Sequence, residues 1–599
     1  MADYRAPLGD IEFVLEHIAG LRRIAAYPAF AGIEADTVKA VLEEAGRFAA
    51  EVVAPTNRSG DREGARLENG RVSTPKGFAE AYRRFVEGGW NGVGFAPEWG
   101  GGGLPWTVAI AVQEVMTSAN MAFSLCPLLT QGAVDLLLHH ADQAQQATYL
   151  PKMVSGEWTG TMNLTEPQAG SDVGALKTRA ERRPDGTYTI TGSKIFITYG
   201  EHDWAENIIH MVLARTPDAP PGTKGISCFI VPKYLVNPDG SLGAANDLRC
   251  LSLEHKLGIH ASPTCVMAYG EQGGATGYLI GAENAGMKYM FTMMNNARLS
   301  VGLQGLAIAE RAYQQALDYA KERRQGRPLR PGAAQGAPIL EHADVRRTIM
   351  TMKAEIEAMR AVIYRNAAAL DCARADPDGE AAARAQARAD LLTPISKGWG
   401  TDLGVEIASM AVQVHGGMGF IEETGAAQHL RDARIAPIYE GTNGIQAMDL
   451  VLRKLPLEGG GAMRALVDEI GASAERAVAS AALADVGQAL RPAVAALASA
   501  ADLVREIAAR DPNGAAGRAS PFLKQMGITL GGAFLAEEAL IAADLLAAGA
   551  AKNGDFLKAK IVTARFYAAQ ILPQAAAHAA AVAAPDESLY EIPVAMLGA

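Results

Sequence analysis

The chain has 599 residues, 49% apolar and 20% charged, with a formal net charge of -11. That length allows three to five domains with a large buried core, and the charged fraction excludes wholesale disorder. The excess of 66 acidic over 55 basic residues argues against a broad phosphate-binding face, and five scattered cysteines without a CxxC pair fit reduced cytoplasmic thiols, not a disulfide framework or a zinc site.

Residues 1–32 form a leading segment whose charges at Arg5, Asp10, Glu12, Glu16, Arg22 and Arg23 break up any signal-peptide core. From 33 to 155 the pattern is helical, with Val38, Val41, Leu42 and Ala45, and later Ala133, Leu136, Leu137 and His140, at three- and four-residue steps. A turn-rich insert from Gly88 to Pro105 lies between them. Near 156 the texture changes. Short β-branched and aromatic runs at 188–191, 194–198, 208–213, 226–231 and 265–269 predict a β-domain over 156–285, a small barrel or sandwich.

Helical spacing returns at Met287 and traces one long helix ending at Arg323-Arg324-Gln325-Gly326, a second over about 341–372 and a third over about 385–415. Gly416-Gly417-Met418-Gly419 stops the third, closing a helical bundle over 286–456. After a glycine-rich linker, Ala- and Leu-rich helices fill 462–599, with breaks at 511–514 and 552–555. No run of ~18 apolar residues occurs, so no membrane span is expected. Helices, then strands, then helices describe an α+β multi-domain chain and argue against a doubly wound sheet.

The usual nucleotide signatures are missing, and the nearest approach to GxGxxG ends in Pro97. The histidines His139, His140, His202, His255, His260 and His415 lack ligand spacing, so no metal site is expected. Three segments stand out. In 162–172, Met-Asn-Leu-Thr-Glu-Pro-Gln-Ala-Gly-Ser-Asp, a strand turns through Pro, Gly and Ser and can hold a flat polar ring or an anionic tail, although an ordinary hairpin reads the same way. In 194–200, alternation sets Phe196 and Thr198 on one face, an aromatic plane beside a hydroxyl, as any half-buried strand could. In 431–446, Glu440 sits beside Pro437 and Ile438 and before Gly441; burial would raise its pKa towards that of a general base, and a helix-capping role fits equally.

Together, the TEPxAGSD and IYEGTNxIQ segments resemble the acyl-CoA dehydrogenase family of flavoproteins, over about 33–455. The chain is similar to a longer branch with the leading segment and an added C-terminal helical domain. The resemblance implies an N-terminal helical domain, a middle β-domain, a helical bundle and FAD between the last two. By that likeness Met162, Leu164, Thr165, Gly170 and Ser171 line the flavin, with Ser171 shared with the pantetheine arm of the substrate. Phe196 takes the place of a ring-stacking aromatic, with Ile197 and Thr198 at the ring. Arg323 meets the FAD pyrophosphate, Gln413, Gly416 and Gly417 reach the FAD of a neighbouring subunit, and Thr442 and Gly444 approach the cofactor. Asn295, Arg298 and Gly441 lie along the substrate, and Glu440 is the catalytic base; Ala297 stands where other relatives keep theirs.

The implied reaction takes an acyl-CoA to its trans-2-enoyl-CoA. Glu440 removes the α-proton, flavin N5 takes the β-hydride, and donors at the thioester oxygen contribute ~3–4 kcal/mol each. The expected substrates are 3-(methylthio)propanoyl-CoA or a fatty acyl-CoA, and the expected partners are an electron-transfer flavoprotein and a second copy in a homodimer or higher homo-oligomer. Two alternatives share the fold: an acyl-CoA oxidase using oxygen, and a DNA-associated adaptive-response flavoprotein. Residues 457–599 carry 11 Lys/Arg against 15 Asp/Glu, which disfavours duplex binding, so no nucleic-acid partner is expected.

Overall fold

The computed structural model describes residues 4–549, 553–585 and 589–598. The chain divides into two interleaved compact units. One gathers Val41–Leu104 and Val115–Ser300; the other gathers Pro7–Ala40, Pro105–Glu114 and the chain from Val301 onward.

The first unit joins helices to a β-region. Its helix Met121–His140 starts at Asn120, whose side chain accepts from the Phe123 amide at 3.1 Å. This helix is long and apolar enough to cross a membrane, but 94% of its apolar window is buried within the protein. A small hairpin, Arg66–Glu68 with Arg71–Ser73, interrupts the helices expected over 33–155; its turn, Asn69-Gly70, has positive φ at both residues.

Eight strands form the main sheet. Its path runs Leu248–Leu253, Thr264–Tyr269, Tyr188–Thr198, Ala275–Leu279, Ser227–Pro232, Asn207–Ala214 and Trp158–Asn163, and Arg179–Arg182 pairs with Tyr188–Thr198. All neighbours are antiparallel except Trp158–Asn163 beside Asn207–Ala214. Ala180, Ile190, Val212, Phe229, Met267 and Tyr269, drawn from five of these strands, share one core. That convergence is what a strongly curled sheet requires.

The second unit is helical. Gly286–Glu322 enters it from the first, followed by Ala343–Ala375 and Gly379–His415. The third helix begins ahead of the expected 385 because Asp378 caps it, accepting from the Glu380 amide at 2.9 Å. The helices Gly461–Ala479, Ala484–Arg510, Pro512–Ala547 and Gly554–Gln570 then pack onto the bundle. The break expected at 511–514 falls at Asp511; of the second expected break, Lys552 lies outside the described residues.

Buried charge organises this unit. Arg360 pairs with Glu114 at 2.7 Å, with Glu310 at 2.9 Å and with Asp10, while the Tyr364 hydroxyl donates to Glu114 at 2.7 Å. Lys560 pairs with Glu538 at 2.6 Å, with Glu357 at 3.2 Å and again with Asp10. The leading segment, the bundle and the last helices thus meet at one ionic centre.

Candidate active site

In the first unit, the strand ending at Asn163 runs into a tight hairpin. The Glu166 amide donates to the Ala169 carbonyl at 3.1 Å, and the Ala169 amide donates back at 2.9 Å. The buried Glu166 carboxylate holds this loop from behind. Its Oε1 accepts from Lys194 Nζ at 2.9 Å and from the Thr178 hydroxyl and amide at 2.6 and 3.0 Å; its Oε2 accepts from the Lys177 amide at 2.7 Å. Lys194 also donates to the Leu164 carbonyl at 3.0 Å, and the Ile195 amide to the Thr165 carbonyl at 2.9 Å.

Burial works against the Glu166 carboxylate, but Lys194 and the Thr178 hydroxyl outweigh it and hold the group at about 2. Burial lowers Lys194 to about 8, with Glu166 opposing that shift. The pair is therefore ionised at neutral pH. Removing one partner of a buried pair leaves a charge without compensation, so Lys194→Met should cost about 3–5 kcal/mol. The expected result is a lower urea midpoint together with a reduced flavin-to-protein ratio in the purified enzyme. Full flavin retention would mean that the loop does not depend on the pair.

Phe196 shows why simple alternation is not enough. Lys194 pairs with Met267 and Ile197 with Cys265, so two residues, Ile195 and Phe196, face a single one across the ladder. This β-bulge breaks the two-residue period. Strict alternation would put Lys194 and Phe196 on one face, yet Lys194 is fully buried and Phe196 is 58% exposed. Phe196 has φ +60°, uncommon for a bulky residue. Ile197 is buried, Thr198 is half-buried, and the Thr198 carbonyl accepts from the Thr161 hydroxyl at 2.7 Å. Met162 and Thr165 are half-buried, Leu164 is buried, and Gly170 and Ser171 are exposed. A Cβ at Gly170 would meet nothing within 4 Å. An exposed aromatic ring and, in the same unit, an exposed Gly-Ser turn are groups suited to a planar ring carrying an anionic tail.

Further on in this unit, Arg298 is buried, donates to Asn295 Oδ1 at 3.4 Å and lies 5.8 Å from the Phe291 ring centroid. Ala297 is buried and carries no acid–base group.

In the second unit, Arg323 follows the end of its helix at Glu322 and is exposed, with its carbonyl accepting from the Ile339 amide at 2.8 Å. Gln413, Gly416 and Gly417 are exposed at the end of Gly379–His415, and a Cβ at either glycine would meet nothing within 4 Å. Beside them Met418, Phe420 and Ile421 are exposed, Phe420 by 86%.

Glu440 lies in the loop before the helix Asn443–Asp449, with φ +57°, and Gly441 follows at φ +87°. Its side chain is half-buried, less enclosed than its apolar sequence neighbours suggested. It is not the helix cap: the Thr442 hydroxyl takes that role, accepting from the Ile445 amide at 3.3 Å. Burial, and then the charge of Glu440, push the hydroxyl of Tyr439 well up, and that hydroxyl donates to Gln304. Gly441 is half-buried and Gly444 exposed.

Behind the loop stands Lys397, which sequence reasoning missed. Its Nζ donates to the Gly441 carbonyl at 2.7 Å and to Asn443 Oδ1 at 2.9 Å. Its one sequence signal is a lysine set among Leu391, Leu392, Ile395 and Trp399 on a buried helix. Asn443 in turn donates to Asp402 at 2.7 Å and to the Gly398 carbonyl at 2.9 Å, so its amide is spent within the protein.

Sequence profiles place these residues in a known context. Residues 35–157 match the acyl-CoA dehydrogenase N-terminal domain, 161–270 its middle domain and 284–455 its C-terminal domain, while 466–593 match an acetyl-CoA dehydrogenase C-terminal-like domain. The chain belongs to the acyl-CoA dehydrogenase family, whose members are FAD-dependent oxidoreductases. It is 49% identical over 587 residues to the 3-methylmercaptopropionyl-CoA dehydrogenase of Ruegeria pomeroyi, covering 98% of this chain and 99% of the relative. A butyryl-CoA dehydrogenase of Syntrophomonas wolfei is 34% identical over 609 residues, covering 98% and 97%. In fold, the chain resembles a Bacillus anthracis acyl-CoA dehydrogenase solved with FAD, with a TM-score of 0.73 at 21% identity over 92% of this chain and 90% of that one.

Proposed function

We propose that the protein oxidises a short acyl-CoA thioester of the 3-methylmercaptopropionyl type to its trans-2-enoyl thioester, with Glu440 as the base. The observation that carries the role of Glu440 is its backbone: a carboxylate on left-handed φ, followed by a left-handed glycine and wired to the helix behind. Strain of this kind costs ~1–3 kcal/mol and persists where the surroundings enforce it. Identity of 49% along the whole length favours the methylthio substrate over longer chains.

Glu440 accepts the α-proton of the thioester. Bound FAD supplies the two-electron acceptor for the β-hydrogen. The Glu166–Lys194 pair fixes the loop that offers Thr165 and Ser171, and Phe196 offers a ring face. The electrons leave for an electron-transfer flavoprotein in the cytoplasm, and the exposed patch from Met418 to Ile421 is covered by a second copy of the chain.

Anaerobic titration of the holoenzyme with a panel of acyl-CoAs tests this reading. The 450-nm flavin band should bleach fastest with 3-(methylthio)propanoyl-CoA and more slowly as the chain lengthens. Equal rates from short to long acyl groups would reject the substrate. Rapid return of colour in air, with peroxide formed, would move the protein to the oxidases.

A further inference from the structure

The Glu440 loop is held from beneath by a cation that takes no place in the reaction outlined above. Lys397, on the helix Gly379–His415, is fully buried. Its ammonium donates to the Gly441 carbonyl at 2.7 Å and to Asn443 Oδ1 at 2.9 Å. Asn443 extends the contact, donating to Gly398 O, Thr401 Oγ1 and Asp402 Oδ1 at 2.9, 3.0 and 2.7 Å. From the following helix the buried Gln446 donates to the carbonyls of Glu440 and Gly441 at 3.3 and 3.4 Å.

Two consecutive carbonyls therefore point inward. In a trans peptide the N–H lies opposite the C=O, so the amides of Gly441 and Thr442 are turned the other way. Of the two donors to the Gly441 carbonyl, Lys397 makes the shorter bond, 2.7 Å against 3.4 Å from Gln446. It grips the Gly441–Thr442 peptide, directly after the two residues, Glu440 and Gly441, whose backbone is left-handed.

We infer that Lys397 is the positioning residue of the catalytic base, fixing the left-handed Glu440–Gly441 turn and with it the aim of the carboxylate at the α-proton. This inference rests on Glu440 being the base. A buried ammonium that only stabilised the fold would be needed equally for substrate binding and turnover. One that aims the base acts on turnover alone, because a misplacement of ~1 Å at the reacting group costs ~10²-fold.

The test is a cycle in the FAD-loaded enzyme comprising Lys397→Met, Glu440→Gln and the double variant. Lys397→Met should keep its flavin content and a KM within about twofold of the parent while kcat falls ~10²-fold. In the Glu440→Gln background the same change should add nothing, since an aim has no value without the base. Unchanged kcat in Lys397→Met beside an inactive Glu440→Gln would overturn the positioning role and leave the base standing. So would a KM that rises in step, or an equal further loss in the double variant. Near-normal turnover by Glu440→Gln would overturn both.

Should Lys397→Met not fold, Asn443→Ala removes the second acceptor of the ammonium. It should lower kcat ~10-fold at constant KM and speed deuterium exchange of the 438–446 amides in the holoenzyme. Parental exchange and kcat in that variant would overturn the inference.

Discussion

Glu440→Gln should yield a folded, yellow enzyme that turns over roughly 10²–10⁴-fold more slowly, or less, because glutamine keeps the shape of the side chain but cannot accept a proton. The isostere leaves the backbone bonds from Lys397 and Gln446 in place, since both address carbonyls and not the carboxylate. Flavin content, oligomeric state and thermal midpoint should match the parent. Stopped-flow flavin reduction is the direct readout. A rate within about tenfold of the parent would remove Glu440 from the chemistry, and Ala297 could not take over, being a buried alanine.

The second large effect is on stability. Asp10, Glu357 and Glu538 bring carboxylate oxygens within 4.8 Å of one another, a spacing a cation could bridge, and the Lys560 ammonium serves as that cation. Lys560→Met would leave these carboxylates facing one another in the interior. The expected loss is at least about 3–5 kcal/mol, read as a lower urea midpoint or as insoluble protein. A midpoint equal to the parent's would show that the centre is solvated.

The same centre gives a pH signature. Burial raises Glu538 from its ordinary 4.5 to about 8, against the pull of Lys560, whereas Asp10 is held well below its ordinary value by Lys560 and Arg360 in spite of burial. Between those two values the folded Glu538 binds a proton that the unfolded chain has released, so its contribution to stability falls as pH rises. Glu538→Gln keeps a neutral group there. Its urea midpoint relative to the parent should improve steadily from about pH 5.5 to 8.5, across the titration of the buried acid. Parallel stability curves would refute that titration.

What the sequence disclosed was whatever is local or strongly patterned. The β-domain, the three long bundle helices and the appended helices follow from period and punctuation. The Asn69-Gly70 hairpin was equally legible, with both residues on left-handed backbone, and was passed over within a helical stretch. The bulge at Phe196 was not legible, because a strand's own residues do not record where its partner skips one. Nor was the Lys397 clamp, whose partner lies 44 residues away in the sequence. Residues 1–32 read as a leading segment, and Pro7–Ala40 belong to the same compact unit as the last helices.

The link between Asp10 and Lys560 spans 550 residues of sequence. A ribosome adding ~5–20 residues per second needs roughly half a minute to two minutes to cover that distance. During that interval the first helix is already outside the tunnel while the lysine that completes its surroundings has not been made. The ionic centre of the helical unit therefore cannot close until Lys560 has been made.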